Sequence, residues 1–127
     1  MTDRNISRRP LTELQQAILE LLWDAGPATS EQVRTGLLPK HRLKDSSVRT
    51  LLRRLESRGF LTHTVEGQAY VYRAAVPQRR LAARAVQQII ERFCSGSVEQ
   101  FLLGMVDEKV LSASEIRKLA RKVRGQE

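Results

Sequence analysis

The chain has 127 residues, a formal net charge of +8 and 41% hydrophobic residues. This length fits one domain of DNA-binding size with a small appendage and excludes two large cores. The positive charge favours an acidic partner such as nucleic acid, although an anionic membrane surface would also attract it. No apolar run approaches the length of a membrane span, and the N-terminus has no signal-peptide hydrophobic region. The sequence therefore predicts a cytoplasmic protein that does not insert into membranes.

Two helices are predicted in the first third of the chain. Residues 1–10 are polar and are expected to form a flexible N-terminus. Thr12 begins the first helix, with Gln15 spaced as in a capping box, and Gly26 and Pro27 end it. Its apolar stripe comprises Leu14, Ile18, Leu21, Leu22 and Ala25. Ser30 is the predicted cap of a second, shorter helix that Pro39 stops.

A third helix, predicted over residues 46–58, has the composition of a DNA-reading helix. Its apolar stripe consists of Val48, Leu51, Leu52 and Leu55. Its other side mixes arginines, which bind guanine or phosphate, with small hydroxyl side chains that fit close to base edges. The predicted DNA contacts are Ser46, Ser47, Arg49, Thr50, Arg53 and Arg54, with Arg42 and Lys44 from the preceding loop. An ordinary solvated helix face is the alternative for any single arginine.

The sequence period changes after Gly59 from helical to alternating, which predicts a β-hairpin. Residues 61–65 and 70–72 form the two strands, and Gly67 lies in the turn between them. Gln68 and Arg73 are candidate contacts to the DNA backbone, and a hairpin that only covers the helical core is the alternative. Helix, short helix, longer helix and hairpin together predict a winged helix-turn-helix domain over residues 11–76.

The remaining segment, residues 77–127, is predicted to form three helices. Ser97 caps the second of them, and Ser112 with Glu115 forms a capping box for the third. Three short helices provide too little interior for their apolar stripes, which indicates a dimerisation domain that packs against a second copy of the chain. The predicted interface residues are Leu81, Ile89, Phe93, Phe101, Leu102, Met105, Ile116 and Leu119. The alternative is that this segment folds back on the winged domain.

No pattern in the sequence indicates catalysis, a cofactor or a metal site. The only cysteine, Cys94, ends an apolar helical pattern, which favours packing over a redox role. His41 and His63 have no carboxylate or thiol neighbour at metal-ligand spacing. The seven glycines are scattered instead of forming a phosphate-binding loop, and no nucleophile and base are paired. The sequence predicts a protein that is not an enzyme.

Four segments in order resemble the penicillinase repressor family over about residues 11–123. They are Thr12–Trp23, Ser47–Leu55, Gly59–Leu61 and Tyr70–Arg73. The resemblance implies a bacterial homodimeric winged-helix repressor that binds palindromic double-stranded DNA operators, commonly ahead of β-lactamase or related resistance genes. It also implies a membrane metalloprotease sensor as a partner. By position, Ser46, Ser47, Arg49, Thr50 and Arg53 match the DNA-contacting helix of the family.

Two departures from the family pattern bear on regulation. Antibiotic-responsive members are cut at an Asn-Phe bond, whereas this chain has Gly104-Met105 at the matching position. Copper-responsive members have a C-terminal cysteine cluster, whereas this chain has Cys94 alone. The resulting prediction is a repressor in which the sequence indicates neither induction by cleavage at an Asn-Phe bond nor induction by copper. A winged-helix protein-interaction adaptor and a repressor gated by a small molecule are the alternatives.

Overall fold

A computed structural model describes residues 9–126. The described residues form helices and one two-stranded antiparallel sheet. The elements are α1 (Glu13–Ala25), α2 (Ser30–Gly36), α3 (Asp45–Ser57), β1 (Leu61–Glu66), β2 (Ala69–Ala74), α4 (Gln78–Phe93), α5 (Val98–Asp107) and α6 (Ala113–Gln126). This order confirms the prediction of a mainly helical chain with a small hairpin in a winged helix-turn-helix. Of the predicted flexible N-terminus, residues 1–8 lie outside the described residues.

Capping chemistry accounts for the starts of α1 and α2, with one difference from prediction. The capping box of α1 is present, because Thr12 Oγ1 accepts from the Gln15 amide at 3.1 Å and Gln15 Oε1 accepts from the Thr12 amide at 3.0 Å. The cap of α2 is Thr29, so the prediction of Ser30 was wrong by one residue. A Thr-x-x-Gln box places Gln32 at the third helical position, and Ser30 becomes the first helical residue.

The apolar stripes of α1, α2 and α3 meet in one core with residues of the hairpin. Its fully or almost fully buried members are Ile18, Leu19, Leu22, Ala28, Val33, Leu37, Val48, Leu52, Leu55, Phe60, Leu61, Tyr72 and Val76. Trp23 packs partly against this core, and its indole Nε1–H donates to the Val76 carbonyl at 2.9 Å. Because three residues of α3 lie in this core, the opposite side of that helix is held towards solvent in a fixed orientation.

The hairpin is attached to the helical core by backbone hydrogen bonds. Its register runs from Leu61 opposite Ala74 to Glu66 opposite Ala69, and Gly67 adopts a positive φ of 66° in the turn. The amide of Tyr72 donates to the Ala28 carbonyl at 2.8 Å, and the amide of Ala28 donates to the Tyr72 carbonyl at 3.0 Å. This bridge ties the wing to the segment between α1 and α2.

The chain divides into two compact units after Leu81, within the first turns of α4. The boundary between the two domains that was predicted from the sequence lies after residue 76. Val76 is buried in the core of the first unit, and Leu81 packs partly against it. The contacts that Leu81 makes there reduce the area that it could give to a partner chain. The second unit begins at Ala82.

The second unit has helices with almost no buried residues. In α4 only Ile90 is buried, and in α5 and α6 no residue is. The predicted caps are confirmed: Ser97 Oγ accepts from the Gln100 amide at 3.1 Å, and Ser112 and Glu115 form the expected reciprocal pair. Several large apolar side chains are exposed, namely Ile89, Phe93, Val98, Leu103, Val110, Leu119 and Val123.

Candidate nucleic-acid interface

The outer side of α3 presents exposed basic side chains. Arg49, Arg53 and Arg54 are exposed, as are Arg42 and Lys44 in the loop that leads into the helix. Within residues 9–126 none of these five side chains takes part in a hydrogen bond or an ion pair. They are therefore available to a ligand, and guanidinium groups on one face suit phosphate oxygens and the O6 and N7 atoms of guanine.

Small hydroxyl side chains lie beside these arginines on α3. Ser46 and Ser47 are exposed in its first turn. Thr50 is half-buried, and its hydroxyl donates to the Ser46 carbonyl one turn earlier at 2.9 Å. That bond uses the only hydroxyl proton of Thr50, so towards a ligand this oxygen can act only as an acceptor. The sequence pattern did not indicate this restriction.

An ion pair joins α2 to the start of α3. Arg34 Nε lies 3.1 Å from Asp45 Oδ1, and its Nη2 lies 2.7 Å from Glu31 Oε2. The hydrogen bond to Glu31 raises the pKa of Arg34, and that bond lowers the pKa of Glu31. Arg34 offsets the charge of Asp45, the acidic residue in the first turn of α3. This reduces the repulsion that Asp45 would exert on a phosphate near the N-terminus of the helix.

The two candidate residues of the wing differ in their surroundings. Gln68 is exposed at the tip of the hairpin, next to Gly67. Arg73 is engaged within the hairpin, because its Nη1 donates to Thr64 Oγ1 at 2.7 Å and its Nη2 lies 3.4 Å from Glu66 Oε2. A phosphate would have to compete with these contacts for Arg73, whereas Gln68 has no such competitor within the described residues.

His63 links the wing to α3 in a way that the sequence analysis missed. Its Nδ1 lies 2.7 Å from Glu56 Oε2 and 2.8 Å from Oε1. An ionised carboxylate can only accept, so the imidazole donates its Nδ1–H. The ring of His63 is stacked on Tyr70 with centroids 4.3 Å apart, and Tyr72 lies against it at 5.6 Å. Tyr72 is buried, and Tyr70 is half exposed and packs on this histidine.

We expect the Glu56–His63 pair to stabilise the position of the wing. Glu56→Gln should lower the free energy of unfolding by about 0.5–1 kcal/mol, because a hydrogen bond to a carboxylate is replaced by a weaker one to a neutral amide. In a His63→Ala background the same substitution should change it by much less, because the partner is absent. Urea denaturation of the two single variants and the double variant measures this coupling. Additive effects would show that the contact contributes nothing to stability.

The described residues contain neither a metal-binding group nor a membrane-crossing segment. Between residues 9 and 126, no three side chains among His, Cys, Asp and Glu come together as metal ligands. No helix in this range has both the length and the apolar character needed to cross a bilayer. Cys94 is a free, half-buried thiol.

Comparison with known proteins places this arrangement in a family. The family model described as "Penicillinase repressor" matches residues 11–125. An uncharacterised 16.5 kDa protein of Latilactobacillus sakei is 30% identical over 109 residues, which are 86% of this chain and 75% of that protein. The penicillinase repressor of Bacillus licheniformis is 21% identical over 109 residues, which are 86% of this chain and 85% of that protein.

A solved structure shares the fold. The crystal structure of a transcriptional regulator from Thermotoga maritima superimposes with a TM-score of 0.50 at 23% identity, over 90% of this chain and 74% of that one. At this identity the likeness concerns the fold alone. The family model, by contrast, spans the winged unit and almost all of the second unit, and the chain therefore belongs to the penicillinase repressor family.

Proposed function

We propose that this protein is a homodimeric, sequence-specific transcriptional repressor. In this proposal α3 of each subunit enters a major groove of a palindromic operator, and the bound protein blocks a promoter. The protein acts in the cytoplasm. The observation that carries the proposal is a set of basic side chains on the outer side of α3 that have no partner between residues 9 and 126. The inner side of the same helix is fixed in the core. Membership of a repressor family supports the same function, and it favours regulation over catalysis.

The contacts to DNA divide by chemistry. Arg49, Thr50 and Ser46 supply most of the sequence preference, because they reach base edges from the first two turns of α3. Lys44, Arg42 and Arg54 supply affinity through phosphates, so binding should weaken steeply as salt rises. Gln68 at the tip of the wing adds a backbone contact.

The exposed apolar residues of the second unit support a dimer. Phe93 is 73% exposed and Leu119 is 52% exposed. Ile89 is also exposed, while Phe101, Leu102, Met105 and Ile116 are half-buried. Burying such side chains against a second copy would remove apolar area from water, which favours association. Two-fold symmetry would then place two α3 helices on two half-sites.

We further propose that a membrane metalloprotease sensor acts upstream of the repressor, as the family resemblance implies. Relief of repression by cleavage at Gly104-Met105 is not expected, because the family's Asn-Phe pair is missing there. Resistance or cell-envelope genes are the proposed targets.

A binding titration tests the proposal. The purified protein is titrated against the duplex upstream of its own gene and against a scrambled duplex, at a low and a high salt concentration. We expect preference for the upstream duplex that persists at the higher salt, because base contacts lose less with salt than phosphate contacts do. Equal binding to both duplexes, lost at the higher salt, would reject a specific repressor and favour a protein-interaction adaptor.

A further inference from the structure

A basic cleft of about 420 Å³ lies between the start of α1 and the end of α3. We call it the arginine cleft, and its lining residues are Arg9, Pro10, Thr12, Gln15, Arg54, Ser57 and Arg58. Among the described residues that line the cleft, three are cationic and none is acidic. Glu13, in the first turn of α1, does not line the cleft. A concave site lined by several cations and no carboxylate favours an anion.

Arg58 is held in place at the centre of this lining by neutral groups. Its Nη1 donates to Gln15 Oε1 at 3.0 Å, and its Nη2 donates to the Arg9 carbonyl. The guanidinium carbon lies 5.1 Å from the centre of the Phe60 ring. A guanidinium that is already oriented loses little further freedom when it binds a ligand.

The charge of Arg58 is incompletely compensated. Its Nε is buried and has no hydrogen-bond partner within the described residues. Burial lowers the pKa of Arg58, and the charge of Arg9 lowers it further. Neither of its two fixed partners carries a negative charge. An anion in the cleft would supply the missing countercharge for Arg58, and Arg54, which makes no ion pair within the described residues, lines the same cleft.

We propose that the arginine cleft binds a phosphate group. Guanidinium groups form paired, charge-assisted hydrogen bonds with phosphate oxygens, and two of the five donors of Arg58 are used by its protein partners. Thr12 and Ser57 add hydroxyl groups to the lining. The phosphate comes either from a small phosphorylated ligand or from the backbone of bound DNA. The first source would couple a metabolite to α3, because Arg54 and Arg58 lie at the end of that helix.

The test uses the full chain without DNA and inorganic phosphate as the probe. Phosphate is added while chloride is withdrawn to keep the ionic strength fixed, and the arginine Nε–H signals are followed by NMR. We expect saturable shifts at Arg58 and Arg54. Arg54→Gln should weaken phosphate binding about tenfold, because one charge-assisted contact is lost. Arg117→Gln, a matched change at an exposed arginine of α6, should leave it unchanged.

Several outcomes would overturn the proposal. Shifts that rise linearly without saturation would reject a site, as would equal weakening by Arg54→Gln and Arg117→Gln. Arg54→Lys provides a second check on geometry, because it keeps the charge and removes the planar fork. We expect it to recover only part of the affinity, and full recovery would reject paired hydrogen bonding as the basis of recognition.

A second titration distinguishes the two sources of phosphate. The experiment is repeated with the protein saturated by duplex DNA. If the DNA backbone occupies the cleft, DNA itself shifts the Arg58 signal and added phosphate has no further effect. If the site serves a small ligand, phosphate still shifts Arg58 in the complex. The DNA-free titration does not depend on the proposed repressor function, so the two can fail separately.

Discussion

Arg53→Glu is expected to lower affinity for the operator duplex by about a hundredfold or more, because it removes one arginine contact and adds repulsion of the phosphates. Arg53 is exposed on α3 and makes no hydrogen bond or ion pair within the described residues. The substitution should therefore leave the fold intact. Fluorescence anisotropy at fixed salt measures the affinity, and urea denaturation checks the stability.

Arg117→Glu is the matched control for this substitution. It changes the net charge by the same amount at an exposed position of α6, a helix of the second unit. A loss confined to Arg53→Glu identifies a local contact at α3. Equal losses in the two variants would mean that only the total charge of the protein matters. Retained affinity in Arg53→Glu would reject α3 as the element that reads DNA.

Phe93→Asp is expected to convert the dimer into monomers. The side chain of Phe93 is 73% exposed in the single chain, so its replacement should cost the monomer little. In the proposed dimer it would be buried, and a carboxylate there would be desolvated without a partner. We expect the dimer dissociation constant to rise by about a hundredfold or more, since burying an unpaired charge costs several kcal/mol.

Sedimentation equilibrium over a range of protein concentrations measures this change. Gln87→Asp is the control, because it introduces the same carboxylate at an exposed polar position of the same helix. That variant should remain dimeric. The Phe93→Asp monomer should also bind a two-half-site operator more weakly than the wild type, because each half-site is then occupied independently. An unchanged dimer would reject this part of α4 as the interface.

The arginine cleft and helix α3 share Arg54, so the two proposals have a common experimental consequence. If DNA supplies the phosphate, Arg54→Gln should weaken DNA binding. The slope of log affinity against log salt concentration should then fall by the amount expected for about one phosphate contact. If a small ligand supplies it, adding inorganic phosphate should alter operator affinity only in proteins that retain Arg54. The position of Arg58, fixed by Gln15 and Phe60, connects this cleft to the core of the winged unit.

The elements themselves were predictable from sequence because they depend on local patterns. The periodic apolar residues of α1 and α3 determine which face of each helix is buried, whatever it packs against. The helix capping boxes that begin at Thr12 and Ser112 form between residues three positions apart in the chain. The family resemblance also rested on such ordered segments, and the family model confirms it. The one error among the caps, Ser30 for Thr29, concerns neighbouring residues that both favour capping.

The tertiary structure alone decided which polar groups meet across the chain. No local pattern in the sequence distinguishes Arg58 from the other arginines, and its bond to Gln15 spans 43 positions. Glu56 and His63 belong to different elements, so neither could be assigned a partner from its own pattern. Such pairings depend on how helices and hairpin are arranged around Leu52, Phe60 and their neighbours. The sequence determined the elements and the family, because periodicity and capping are local; the wing contact and the arginine cleft required the packed core, because their partners are distant in the chain.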